Sequence, residues 1–117
     1  MCYTTTDEFK QNVKRTSLDF NLYKKIVDEC ARNRSHYSIR LSWRGEAFLN
    51  PQIIDMIRYA KQKGIKEVST LTHGGFLDAE KFEELVDIGL DWLTISFDGV
   101  DETYEQIRAP LKFEAMV

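Results

Sequence analysis

The apolar positions of this chain change period repeatedly. Phe20, Tyr23, Ile26, Val27 and Cys30 recur at three- and four-residue spacing, with Asp19 in front of them. That spacing lines one face of an α-helix from Phe20 to Arg32, N-capped by Asp19. The stretch "YSIRLSW", 37–43, alternates apolar and polar residues and predicts a strand. "NPQIIDMIRYAKQKG" returns to helical spacing, with Asn50 as N-cap, Pro51 at the first helical position and Gly64 just past the end. "EVSTLT", 67–72, is a second strand, and "DAEKFEELVDIG" a helix from Asp78 as N-cap to Gly89 as stop. "DWLTISFD", 91–98, is a third strand. Asp101 then caps a last helix that Pro110 ends. Residues 1–17 read as polar and irregular.

Strands alternating with helices imply βαβ units and a parallel sheet with right-handed crossovers. A parallel sheet covered on both faces usually carries continuous apolar strands. Here Ile39 and Leu41 alternate with Ser38, Arg40 and Ser42, and Leu93, Ile95 and Phe97 with Thr94, Ser96 and Asp98. One face is expected to meet helices. The other is polar enough to line a ligand-filled lumen, where buried polar groups find partners. An open, half-covered sheet accounts for the same alternation.

Composition narrows the class. The chain has 117 residues, 43% hydrophobic and 30% charged, which suits one globular domain. A net charge of −3 gives no basic footprint for nucleic acid. No apolar run reaches the roughly 20 residues of a membrane span. "MCYTTTDEFK" has no signal-peptide core, so the expected location is cytoplasmic. The two cysteines, Cys2 and Cys30, stand 28 positions apart, which is neither a zinc spacing nor a disulfide framework. Cys30 is in phase with a core face. Cys2 lies on no periodic face.

Ligands of parallel α/β folds bind beyond the C-terminal strand ends. The three ends read "WRGE", "THGG" and "SFDG", and each sets glycine beside a polar or ionisable residue. Glycine admits close backbone approach, although βα turns use glycine in any case. Glu46, His73 and Asp98 thus gather at one rim, 27 and 25 residues apart.

"WRGEAFLNP" resembles the Gly-Gly-Glu segment of radical S-adenosylmethionine (radical SAM) enzymes, which reads Gly-Gly-Glu-Pro-Leu-Leu-x-Pro after the second barrel strand. Arg44 replaces the first Gly and Ala47 the Pro; Gly45, Glu46, Leu49 and Pro51 match. "LTHGGFL" is similar to the Thr-Asn-Gly-x-x-Leu at the third strand's end, with His73 in place of Asn. "GLDWLTISFDG" resembles the fourth strand, and "YEQIRAPLKFE" the helix after it. "MCY" resembles the end of the Cys-x3-Cys-x2-Cys cluster motif. The likeness runs from one end of the chain to the other.

The resemblance implies a partial (β/α)6 TIM-like barrel: an α/β fold of parallel βαβαβα units. Residues 1–18 would be a remnant of the cluster loop and 19–117 three strand/helix units of one domain. It implies SAM and a [4Fe-4S] cluster as cofactors, with reductive cleavage of SAM to a 5′-deoxyadenosyl radical. Gly45, Glu46, Thr72, His73, Ser96, Asp98 and Arg108 would contact SAM, and Cys2 would be the third cluster ligand. Glu46 and the backbone near Gly45 would take the amino group of SAM, and Arg108 its carboxylate. The other two cluster cysteines, the first strand and the last two are not in this sequence. The expectation is therefore an excised piece, inactive by itself, acting in full context on a peptide or small molecule. Open sheet edges would let two copies pair into six strands. Two other classes stay open: a non-catalytic α/β interaction module, and a small nucleotide-binding domain with glycine rims as anion sites.

Overall fold

The computed structural model describes residues 6–14, 16–33, 38–42 and 44–116. Its elements are α1 (Asp7–Asn12), α2 (Phe20–Asn33), β1 (Ser38–Leu41), α3 (Ile53–Gln62), β2 (Glu67–Thr72), α4 (Ala79–Ile88), β3 (Trp92–Ile95) and α5 (Asp101–Arg108). Short 3₁₀ turns cover Ala47–Leu49 and Phe113–Ala115. The three strands form one parallel sheet in the order β1-β2-β3. Register pairs Ile39 with Val68 and Leu41 with Thr70, then Thr70 with Leu93 and Thr72 with Ile95.

That register sorts the side chains onto two faces. Ile39, Leu41, Val68 and Leu93 share the face covered by α2, α3 and α4. Tyr23, Val27, Ile53, Met56, Ile57, Ala60, Ile65 and Leu85 complete the core there. Cys30 packs against this core, as its phase predicts. The Tyr23 hydroxyl donates to the Met56 carbonyl at 3.0 Å, which fixes α2 on α3. Burial, with Cys30 adding to it, raises the Tyr23 pKa well above the usual phenol range. The opposite face carries Arg40, Ser69 and Thr94, together with Leu71 and the exposed Trp92. Polar residues thus lie away from the helices in β1 and β3. In β2 the pattern departs: Thr70 and Thr72 are fully buried on the helix face. They remain there because both are satisfied, Thr70 by donating to the Leu41 carbonyl at 2.8 Å.

Several boundaries differ from the expected ones. Residues 7–12 are helical rather than irregular, because Thr6 caps the Phe9 N–H and Phe9 is buried. Asn50 does not cap α3; its side chain accepts from Gln52 N at 3.0 Å, and the helix begins at Ile53. The residues before it are drawn into a 3₁₀ turn by the Phe48 N–H bond to Glu46 and the burial of Phe48. Asp101 is the first residue of α5, with φ +48, and Val100 holds the cap position without a side-chain bond. Asp78 caps α4 through Lys81 N at 2.8 Å, as expected, and Gly89 stops it. Tyr37 and Trp43, expected as strand ends, lie outside the described residues, as does Cys2. Among the described residues no helix is long and apolar enough to cross a membrane.

The N-terminal end of the sheet is fixed by Asp91. Its Oδ2 accepts from Val68 N at 2.7 Å and from Lys61 Nζ at 2.8 Å, while Asp91 N donates to the Val68 carbonyl at 3.0 Å. Burial pushes the Asp91 pKa up, but the Lys61 ammonium and the Val68 N–H outweigh it and hold the carboxyl below its usual range. A depressed carboxylate stabilises the fold above its unfolded pKa, and that contribution fades as pH falls through the folded value. Asp91→Asn should therefore cost about 1 kcal/mol at neutral pH, and the difference from the parent should shrink below about pH 4. Urea unfolding at several pH values measures both.

Candidate functional site

The turn between β1 and α3 enters the rim through Arg44, whose guanidinium lies 5.9 Å from the Phe9 ring centroid. Gly45 follows with φ +93, which an L side chain rarely adopts, and nothing crowds its Cα. The main chain is thereby open to solvent at Gly45. The next residue turns inward. The Glu46 side chain is only 8% exposed, and burying a carboxylate is costly unless it is paired.

Three strong donors pair it. Glu46 Oε1 accepts from the Thr72 hydroxyl at 2.6 Å and from Phe48 N at 3.2 Å. Glu46 Oε2 accepts from His73 N at 2.9 Å. Thr72 can donate to Glu46 because its own oxygen accepts from Gly74 N at 2.9 Å. Thr72 is the last residue of β2, so the β1 turn is bolted to the C-terminal end of the central strand.

The His73 ring adds a fourth contact. Its Nδ1 accepts from Gly75 N at 3.0 Å, so in neutral imidazole the proton sits on Nε2. That Nε2 faces Glu46 Oε2 at 3.4 Å. The ring also packs on Phe76, with centroids 5.3 Å apart. Gly74 has φ +87 and meets the Met116 side chain where a Cβ would stand, so it accepts no other residue without a shift.

The third rim loop carries the remaining candidates. Ser96 N donates to the Thr72 carbonyl at 2.9 Å, which ties the β3 exit to the β2 exit. Asp98 forms an ion pair with Arg108 from α5. Arg108 Nε is buried without a hydrogen-bond partner among the described residues, as is the Tyr104 hydroxyl one helical turn earlier. Tyr104 is fully buried, with Phe97 and Phe113 ring centroids 5.1 and 5.9 Å away.

The rim thus holds two joined groups: Gly45, Glu46, Thr72 and His73, and beside them Ser96, Asp98 and Arg108. Thr72 and His73 both contact Glu46. Tyr104 and the Asp91 clamp were missed from sequence. A tyrosine one turn before an arginine, and an aspartate at a strand entrance, are signals too common to single them out. Among the described residues no cluster of histidine, cysteine and acidic side chains has metal-site geometry.

A family model described as the radical SAM superfamily matches residues 1–117. The Fe-coproporphyrin III synthase of Methanosarcina barkeri is 29% identical over 85 residues, covering 73% of this chain and 21% of that protein. The tungsten-containing aldehyde ferredoxin oxidoreductase cofactor-modifying protein of Pyrococcus furiosus is 30% identical over 81 residues, 69% of this chain and 22% of that protein. The biotin synthase of Marinobacter nauticus is 32% identical over 89 residues, 72% of this chain and 24% of that protein. The chain spans roughly a fifth to a quarter of the length of these curated relatives. No solved structure matches it significantly.

The geometry at Glu46 predicts a large effect from a small change. In Glu46→Gln, either orientation of the amide turns its NH₂ toward a donor, the Thr72 and Phe48 side or the His73 N–H. We expect a loss of about 1–3 kcal/mol in urea unfolding. Amide exchange at His73 and Gly74 should accelerate more than exchange in α3.

Proposed function

The chain belongs to the radical SAM superfamily, and from that premise we propose that its three strand/helix units form part of a SAM-binding cradle within a (β/α)6 barrel core. The carrying observation is the convergence of complementary groups on one rim. The open Gly45 backbone and Glu46 offer acceptors to the ammonium group of SAM. Arg108, paired with Asp98 and 25% exposed, offers its guanidinium to the carboxylate. Asp98 and Ser96 would serve the ribose hydroxyls. Thr72 and His73 hold the Glu46 carboxylate in place. The polar face bearing Arg40, Ser69 and Thr94 would then line the barrel lumen. We place the protein in the cytoplasm.

The donor set does not fit a [4Fe-4S] cluster on this chain alone. Such clusters are held by cysteine thiolates, and the sequence has two cysteines. Cys30, on α2, packs against the core, and Cys2 lies outside the described residues. The role of these rim residues is therefore binding: they fix the amino-acid end of SAM and orient the sulfonium. The matched relatives are named for unrelated products. We read the shared rim as serving the cofactor, with the substrate chosen elsewhere.

Titration with SAM, followed by amide shifts at Gly45, Gly74 and Gly99, tests the reading. We expect saturable shifts at all three with millimolar affinity, about 4 kcal/mol of binding free energy. Arg108→Ala should weaken binding about tenfold, the effect of losing a charge-assisted hydrogen bond. Equal shifts with ATP and none with SAM would favour a nucleotide-binding domain instead.

A further inference from the structure

The helix layer over this sheet ends in two exposed apolar flanks. α3 lies against the flank of α2 that carries Phe20 and Asp28, both of which meet Tyr59. Leu22 and Ile26, one turn apart, stand exposed on the opposite flank. α3 meets α4 through the Arg58–Glu84 ion pair. Phe82 and Val86, again one turn apart, stand exposed on the flank of α4 turned away from it. Beside them opens a groove of about 160 Å³, lined by Phe82, Leu85, Val86, Leu90 and Leu93, which has room for a branched aliphatic side chain. We infer that a second copy of this chain covers both flanks, α2 of each copy packing against α4 of the other.

The sheet selects this pairing. β1 and β3 are its edge strands among the described residues, and an edge strand presents a row of backbone groups to a further strand. Both are four residues long and both run parallel to β2. Helix contacts run from α2 to α3 to α4, over strands in the order β1-β2-β3. Laying β1 of one copy along β3 of the other therefore continues the sheet and the helix layer together. α2 of the second copy then lies beside α4, with Leu22 and Ile26 facing Phe82, Val86 and the groove. A twofold axis makes the second junction identical to the first, so two copies close into six strands and leave no edge.

The charges favour α2 on α4 over either helix on its own copy. α2 carries Lys24, Lys25 and Arg32 against Asp28 and Glu29, an excess of positive charge. α4 carries Glu80, Glu83, Glu84 and Asp87 against Lys81. Unlike helices attract, whereas α4 against α4 sets acid on acid. The open face of the sheet agrees. Arg40 of β1 and Trp92 of β3 are both exposed and both pair in register with Ser69, so they share that face. Joining the edges brings a guanidinium toward an indole, a favourable contact between residue types that interfaces favour. The pairing uses flanks and edges, not the rim, and does not depend on the SAM reading.

Light scattering at tens of micromolar tests the pairing. The 117-residue chain should show twice the mass of one copy. Leu22→Lys and Val86→Glu place charges at positions 50% and 61% exposed, so the fold should survive, which urea unfolding checks. Each variant alone should be monomeric. An equal mixture of the two should regain pairs, because one junction is then unaltered and the other sets the introduced lysine against the introduced glutamate. A monomeric parent, or assemblies that keep growing with concentration, overturn the closed pair. Dimers that persist in Leu22→Lys alone, or a mixture that stays monomeric, overturn the junction of α2 with α4.

Discussion

A buried carboxylate holds this rim together. Glu46 leaves the β1 turn, enters the protein at the end of β2, and is stable there because Thr72, His73 N and Phe48 N surround it with donors. Much follows from that placement. The 3₁₀ turn at Ala47–Leu49 forms where Glu46 caps it, and α3 starts late, at Ile53. Gly45 is left outside with its main chain open. The threonine on the core face of β2 is tolerated because it has an anion to bond.

The central strand is gripped at both ends by carboxylates from its neighbours' loops. Asp91 binds its entrance through Val68 N, and Glu46 binds its exit through Thr72 and His73 N. The two grips differ in exposure and in use. Asp91 is partly open and shares its charge with Lys61, a structural pairing far from the rim. Glu46 is nearly closed off and sits where the three loops meet. A rim built on a fixed anion can present backbone and side-chain groups without rearranging, and fixed geometry is what a ligand site requires. Asp98 and Arg108 extend the rim to α5 through their ion pair.

Much of this was legible in the sequence, for identifiable reasons. β2 came out to the residue, and so did α4, because the Asp78 cap and the Gly89 stop agree locally. α1 was missed because its six residues carry one buried side chain, Phe9, too little for a periodicity. The start of α3 was misplaced because Asn50-Pro51 is a sound helix start taken alone. The competing force is a tertiary bond from Glu46 that no local pattern contains. The gathering of Glu46, His73 and Asp98 on one rim followed from topology and strand length. The inward turn of Glu46, and the role of Thr72 and His73 as its partners, depends on distances across 26 and 27 residues of sequence. Pattern reading gives residue types at a rim, whereas hydrogen-bond direction within it needs coordinates.

A double-mutant cycle of Glu46→Gln and Thr72→Val, read by urea unfolding, tests most directly whether this carboxylate organises the rim. If it does, the two residues act as one unit, and the cycle returns a coupling of about 1–3 kcal/mol. Additive losses, with coupling within about 0.5 kcal/mol of zero, would contradict a central role for Glu46 and leave the rim held by packing alone.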